Sequence, residues 1–174
     1  MPPATNNDRR ANQETMTTIR AVSESDFSDV ASFFTHEREL HYAFPRATFP
    51  PDAEQLRTII SQRSEGTVLL EGGTAAGFAD LYDIIEGERC YIGNMVIGPG
   101  HRRKGLAKML LREMIQKALQ LHGVKTVSII CWCENTEALL LYHACGFRPT
   151  ELIVREFDGK EVPVLLLEKT LHGK

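Results

Sequence analysis

The chain has only one tryptophan, and none of its apolar runs approaches the roughly 20 residues that a membrane-spanning helix needs. Positive charge is not in excess either. Twenty Lys and Arg stand against 23 Asp and Glu, and a net charge of −3 argues against a nucleic-acid binder, which needs a broad basic face. Cysteine is sparse: Cys90, Cys131, Cys133 and Cys145 match neither a disulfide framework nor a zinc ligand set. Cys131 and Cys133 share one side of a predicted strand, but no further His or Cys pair completes a tetrahedron, so no metal is expected. Reduced, partly buried thiols in a cytoplasmic protein are the expected state. The first fourteen residues lack the apolar core of a secretory signal. Residues 1–16 are polar and rich in Asn and Arg; a disordered tail is expected there, ahead of a single domain over 17–170.

What is present is the composition of an ordinary globule, 43% apolar and 25% charged. At 174 residues the chain can bury about two-thirds of its unfolded surface in one core. Periodicity predicts mixed α and β structure. A strand over 18–22 leads into a helix from Ser25 to about Leu40, and a second helix follows near 52–63. Between them lies a loop, 41–51, with three prolines and several aromatics. Strands over 67–71 and 75–82 form a hairpin about Gly72-Gly73, and 90–97 is the next strand. A helix over 104–121 should bury Leu106, Leu110, Met114 and Ala118, with Leu111, Ile115 and Leu119 flanking them. Then come a strand over 126–132, a helix begun by Asn135, and a hairpin of 151–157 with 161–168 across Asp158-Gly159. Pro163 suggests an irregular start or an exposed edge in the last strand.

The most informative stretch runs from Met95 to Ala107, where an apolar strand passes through a Gly/Pro turn into a helix headed by Arg102, Arg103, Lys104 and Gly105. A helix N-terminus already carries about half a positive charge, so cations there make sense if a polyanion docks on the free N–H groups. A solvated basic turn would look the same by charge alone. Neither a Walker loop nor a dinucleotide fingerprint fits the glycine spacing.

Arg102-Arg103-Lys104-Gly105-Leu106-Ala107 resembles the acyl-CoA signature Gln/Arg-x-x-Gly-x-Gly/Ala of the GNAT superfamily of N-acetyltransferases. About thirty residues on, Asn135 to Phe147 resembles that superfamily's Asn-x-x-Ala-x-x-x-Tyr-x-x-x-Gly-Phe segment. Asn135 and Tyr142 lie on nearly one helix face, Asn135 can cap that helix, and Gly146 suits its end. The resemblance covers roughly 17–169. It implies an α/β (α+β) fold, a mixed, mostly antiparallel twisted sheet of six to seven strands flanked by about four helices.

The resemblance also implies an acetyl-CoA-dependent N-acetyltransferase acting on a primary amine of a small molecule or peptide, without nucleic-acid or membrane partners; a homodimer is left open. The diphosphate would rest on the N–H groups from Arg103 to Lys108, through Lys104, Gly105, Leu106 and Ala107, helped by the cations including Arg102. The pantetheine arm would lie along Met95, Val96 and Ile97, where a backbone N–H would polarise the thioester carbonyl. Asn135 would stand at the cofactor, and Tyr142 would protonate the departing thiolate. Many relatives carry a Glu on the strand before the basic turn or on the one before the Asn helix. Here those positions hold Gly93-Asn94 and Ile129-Ile130, so the base is not given by the pattern. Asp80 is one candidate and a water held by Asn94 another, although a solvated strand residue is the plainer expectation for Asp80. His36, Glu37, Glu39, His41, Tyr42 and Phe44 fall where relatives shape the amine pocket. The missing carboxylate keeps one alternative open, a non-catalytic acyl-CoA-binding or sensing module of the same fold.

Overall fold

The computed structural model describes residues 16–171, so the expected tail lies outside the described residues except for Met16. In chain order the elements are β1 (Thr17–Ala21), α1 (Asp26–Ala31), α2 (Glu37–Ala43), α3 (Ala53–Ile60), β2 (Ser64–Glu71), β3 (Thr74–Ile85) and β4 (Arg89–Ile97). A short 3-10 turn (Pro99–His101) leads to α4 (Leu106–His122), followed by β5 (Thr126–Trp132), α5 (Thr136–Ala144), β6 (Arg148–Phe157) and β7 (Lys160–Thr170). The strands form one seven-stranded sheet in the order β1-β2-β3-β4-β5-β7-β6. Only the β4–β5 pair, joined through α4, is parallel; every other pair is antiparallel. This is the mixed sheet expected, with seven strands.

The described residues hold five α-helices rather than about four, because the stretch read as one helix from Ser25 to Leu40 breaks in two. The break lets Phe33 and Phe34 turn inward: the Phe33 ring packs under Gly98, and Phe34 meets Phe44 edge-on at 5.7 Å. His36, extended, then starts α2. Elsewhere local chemistry decides. Asp52 caps α3 by accepting from the Gln55 amide, Asn135 caps α5 by accepting from the Ala138 amide, and Gly123, at φ +61°, stops α4. Pro163 marks a local edge toward β5, although β7 is an inner strand. β7 lies between β5 and β6, and Pro163 sits just past the last β5 pair, Trp132 with Val164, where no ladder N–H is needed.

Two apolar layers sandwich the sheet. On one face α4 buries Leu106, Leu110, Leu111, Met114 and Ala118 against β3, β4 and β5, and Tyr142 and Phe147 from around α5 join that layer. On the other face α1, α2 and α3 bury Val30, Leu40, Phe44 and Leu56 over Val68 and Phe78. The two layers leave β4 and β5 as the floor of everything that follows.

Candidate active site

β4 and β5 keep parallel register only from Arg89 with Thr126 to Tyr91 with Ser128, and beyond that the two strands pair no further. The cause is a bulge. Phe78 pairs with Val96 and Asp80 with Gly93, so two steps on β3 face three on β4, and the extra residue, Asn94, takes φ +48°. Met95 and Ile97 then pack toward α4, while Val96 packs toward the layer of α1 to α3. The result is a gap between two strand ends, walled by backbone groups that no sheet neighbour occupies.

At the mouth of that gap stands the basic turn. Arg103 has φ +62° and Gly105 φ +79°, and α4 has no side-chain cap. No backbone N–H from Arg102 through Lys108 donates to an acceptor among the described residues; the Met109 amide is the first to do so, to the Gly105 carbonyl. Open space lies beyond Gly105 where a Cβ would stand, and a shallow cavity of about 310 Å³ beside it is lined by Lys108 and Arg112 among others. Such a run of free amides is a receptor for an anion.

The cations of the turn are differently used than charge alone suggested. Arg102 reaches across to α2, donating to both carboxylate oxygens of Glu39 (3.0 and 3.3 Å) and to the Ile97 carbonyl at 3.1 Å. This pair holds the Glu39 carboxyl below its ordinary range. Lys104 and His101 both bind Glu71 at the end of β2, at 2.8 and 2.5 Å. Arg103 alone of the three turn cations is exposed without such a partner among the described residues.

Behind the gap, Asp80 is fully buried, not solvated as its strand position suggested. Asn94 donates to Asp80 Oδ2 at 2.5 Å, and Oδ1 has no partner. Burial pushes the carboxyl up to about 7, against the pull of Asn94 and the more distant Arg63. Tyr142 is buried on α5 with its ring 6.0 Å from Phe147. Burial first, then Cys131 and Cys145, raises its hydroxyl above the usual tyrosine range. Asn135 spends its side-chain oxygen on its own helix.

On the face toward α2, residues from three elements meet. Tyr42 lies 5.8 Å from Trp132, Trp132 5.0 Å from Phe157, and Phe157 4.4 Å from His41, ring centre to ring centre. The Tyr42 hydroxyl is buried and unpartnered. Of the six residues expected near the amine, His41 and Tyr42 join this group. Phe44 is core, Glu39 holds Arg102, and Glu37 stands exposed beside His41. Trp132 and Phe157 were missed in the sequence; the lone tryptophan just before the Asn135 helix was the available signal. All four cysteines are free, and among the described residues no cluster of three or more His, Cys, Asp or Glu could hold a metal. No described helix is long and apolar enough to cross a membrane.

Comparison with known proteins gives a consistent picture. The model of the acetyltransferase (GNAT) family matches residues 29–147. A spermidine N(1)-acetyltransferase of Vibrio cholerae is 24% identical over 144 residues, 80% of this chain and 83% of that protein. The crystal structure of a Vibrio cholerae spermidine N-acetyltransferase, solved with CoA and spermine, superposes with a TM-score of 0.74 at 18% identity, covering 88% of this chain and 95% of the other. A Salmonella typhimurium protein solved with its cofactor acetyl-CoA gives 0.67 at 19% identity, covering 91% and 95%.

Proposed function

This chain belongs to the acetyltransferase (GNAT) family, and on that premise we propose that it carries the acetyl group of acetyl-CoA to a primary amine of a small molecule or peptide, with Tyr142 as general acid and Asp80 as general base. The observation that carries the reading is the pairing of two features: a β4–β5 gap opened by the Asn94 bulge, and free amides from Arg102 to Lys108 at its mouth. The amides of Arg103, Lys104, Gly105, Leu106, Ala107 and Lys108 take the diphosphate. Because Arg102 and Lys104 are engaged by Glu39 and Glu71, they shape the turn, and the main chain carries the grip. The thioester arm lies along Met95, Val96 and Ile97, whose backbone faces the gap. Asn135 acts through the α5 cap, which fixes where Tyr142 stands.

The chemistry follows from these placements. An amine of pKa about 10.4 is mostly protonated at pH 7, a barrier of about 4.6 kcal/mol to attack. Asp80, poised near neutrality, accepts that proton on Oδ1. The freed nitrogen lone pair forms a bond to the thioester carbonyl carbon, and a β4 N–H stabilises the oxygen that gains charge. The C–S bond then breaks with its electron pair leaving on sulfur, Tyr142 protonates that sulfur, and the nitrogen sheds its second proton to solvent as the amide forms. An ordinary thiol, at about 8.5, is a weak base toward so poor an acid. A thiolate forming in the same desolvated site is correspondingly more basic, so acid and leaving group stay matched. Solvent afterwards removes the proton from Asp80 and restores the one on Tyr142. The likeness to a spermidine N(1)-acetyltransferase supports a small-molecule amine as acceptor.

Thiol release, paired with calorimetry, tests the reading. Tyr142→Phe should lower kcat by about 10²–10⁴ while acetyl-CoA affinity stays as in the wild type. Binding of acetyl-CoA with no thiol release for any amine would instead leave a binding module. Absence of any heat with CoA or acetyl-CoA would end the assignment altogether.

A further inference from the structure

The sheet ends in two unlike edges. β1 has five residues, and its exposed positions are Thr18, Arg20 and Ala21. β6 has ten, and it turns Leu152 (63%) and Val154 (59%) to solvent. Among the described residues, no main-chain group of β6 bonds to any main chain but that of β7. The Cys133 amide donates to the Pro163 carbonyl at 3.2 Å, so Pro163 turns its main chain toward β5. Val154, directly opposite Pro163, therefore turns its N–H and C=O away from β7. Leu152 and Glu156, two steps either way in unbroken register, do the same. A long row of open donors and acceptors with apolar side chains along it is a template for another strand.

The side chains choose that strand. Glu151 and Arg155 are both exposed, and neither forms an ion pair among the described residues. Four steps apart on an extended strand, they stand about 13 Å from each other and cannot meet within one chain. Ile153 lies midway, flanked by Leu152 and Val154. Opposed to an antiparallel copy of itself about Ile153, β6 sets Glu151 against the partner's Arg155 and Leu152 against the partner's Val154. Ile153 meets the partner's Ile153 on the axis. The main chain agrees: Leu152 and Val154 both turn outward, and Glu151 and Arg155 both turn toward β7. The opposite charges thus fall at non-hydrogen-bonded positions, where Cα atoms come within about 4.5 Å and side chains are closest. An axis at Leu152 would set Glu151 against Ile153, and one at Val154 would set Arg155 against Ile153. Both lose the charge pairs.

We propose that the occupant is a second copy of this chain, β6 pairing antiparallel with β6 in the register centred on Ile153, so that two seven-stranded sheets run into one. The surface is self-complementary, as a twofold contact requires. Leu165, across from Leu152, packs with the layer of α4 and α5, so Leu152 and Val154 of both copies form one apolar patch on that side of the sheet. Phe157 ends the same strand, and the contact steadies the hairpin that brings its ring to Trp132 and His41. The interface goes beyond the transferase reading and does not depend on it.

Sedimentation of the full-length wild-type protein should show the dimer at concentrations up to about 100 µM. Glu151→Arg and Arg155→Glu each set like charges together twice, and each should raise the dissociation constant by at least about 10-fold. An equimolar mixture of those two variants brings opposite charges together at both places. It should form the dimer again, which also shows that both variants fold. Hydrogen exchange should find the Leu152 and Val154 amides protected in the wild type and exchanging fast in Glu151→Arg alone. A wild type still monomeric at about 100 µM would overturn the proposal. A dimer unweakened in Glu151→Arg, or a mixture of the two variants that stays monomeric, would overturn it as well. Thiol release is measured separately, so failure of the transferase reading leaves these outcomes untouched.

Discussion

Asp26 and Asp80 are both buried aspartates on the side of the sheet covered by α1 to α3, and the chain treats them in opposite ways. Asp26 accepts from both terminal nitrogens of Arg20 (2.7 and 2.8 Å), from the Ser23 amide at 2.7 Å and from the Ser23 hydroxyl at 2.8 Å. Arg20 first, and then Ser23, hold its carboxyl down at about 2 against the effect of burial. Asp80 has one neutral donor and an empty oxygen, so burial wins and carries it to about 7. Burial alone therefore does not decide protonation; the number and charge of donors does. Asp26 is a fixed anion at any ordinary pH and serves as a brace between β1 and α1. Asp80 sits where burial leaves its carboxyl able to gain or lose a proton near neutrality.

The sharpest way to break this contrast is Asp80→Asn, which should lower kcat by about 10²–10⁴ in thiol-release assays without weakening acetyl-CoA. Wild-type turnover in that variant would make the two aspartates equivalent. Asp26→Asn should do the reverse, losing about 1.5–3 kcal/mol in urea unfolding while activity per folded molecule is kept. Stability against pH then separates them by sign. The Asp26 carboxyl is held below its unfolded value, so its contribution is present above about pH 4 and fades as pH falls toward 2. The Asp80 carboxyl is held above its unfolded value, so the native state loses stability as pH rises from about 4 through 7. Thermal unfolding of Asp80→Asn should accordingly match wild type near pH 4 and occur at higher temperature than wild type at pH 8. The smallest effect belongs to Asn94→Ala, which removes the only donor to Asp80 among the described residues and should move the acid limb of the kcat/KM profile to higher pH.

Local patterns in the sequence carried the helices and turns well. The apolar spacing from Leu106 to Ala118 named the buried face of α4, missing only that Leu111 is as deeply buried as the others. Asn135 capped α5 as its residue type suggested, and Asp158-Gly159 turned the last hairpin. What was hidden depends on partners far along the chain. Glu39 lies 63 residues from Arg102 and Glu71 33 residues from Lys104, so the turn's cations looked free when they are paired. Asp80 looked solvated because its burial needs the Asn94 bulge on the next strand and the helices packed above. The ring cluster of His41, Tyr42, Trp132 and Phe157 draws on α2, β5 and β6 at once, and no window of sequence contains it.

The extra residue in β4 has an effect on parity that reaches past its own bond. Gly93 and Asn94 face the same way, so the alternation after them runs as though Asn94 had never been inserted. A chain shortened by that one residue would send Met95, Val96 and Ile97 to the sides they occupy now. It would differ only in letting β4 zip onward against β5 and in leaving Asp80 bare. The cleft is thus a modular addition to a strand whose remaining side chains are indifferent to it.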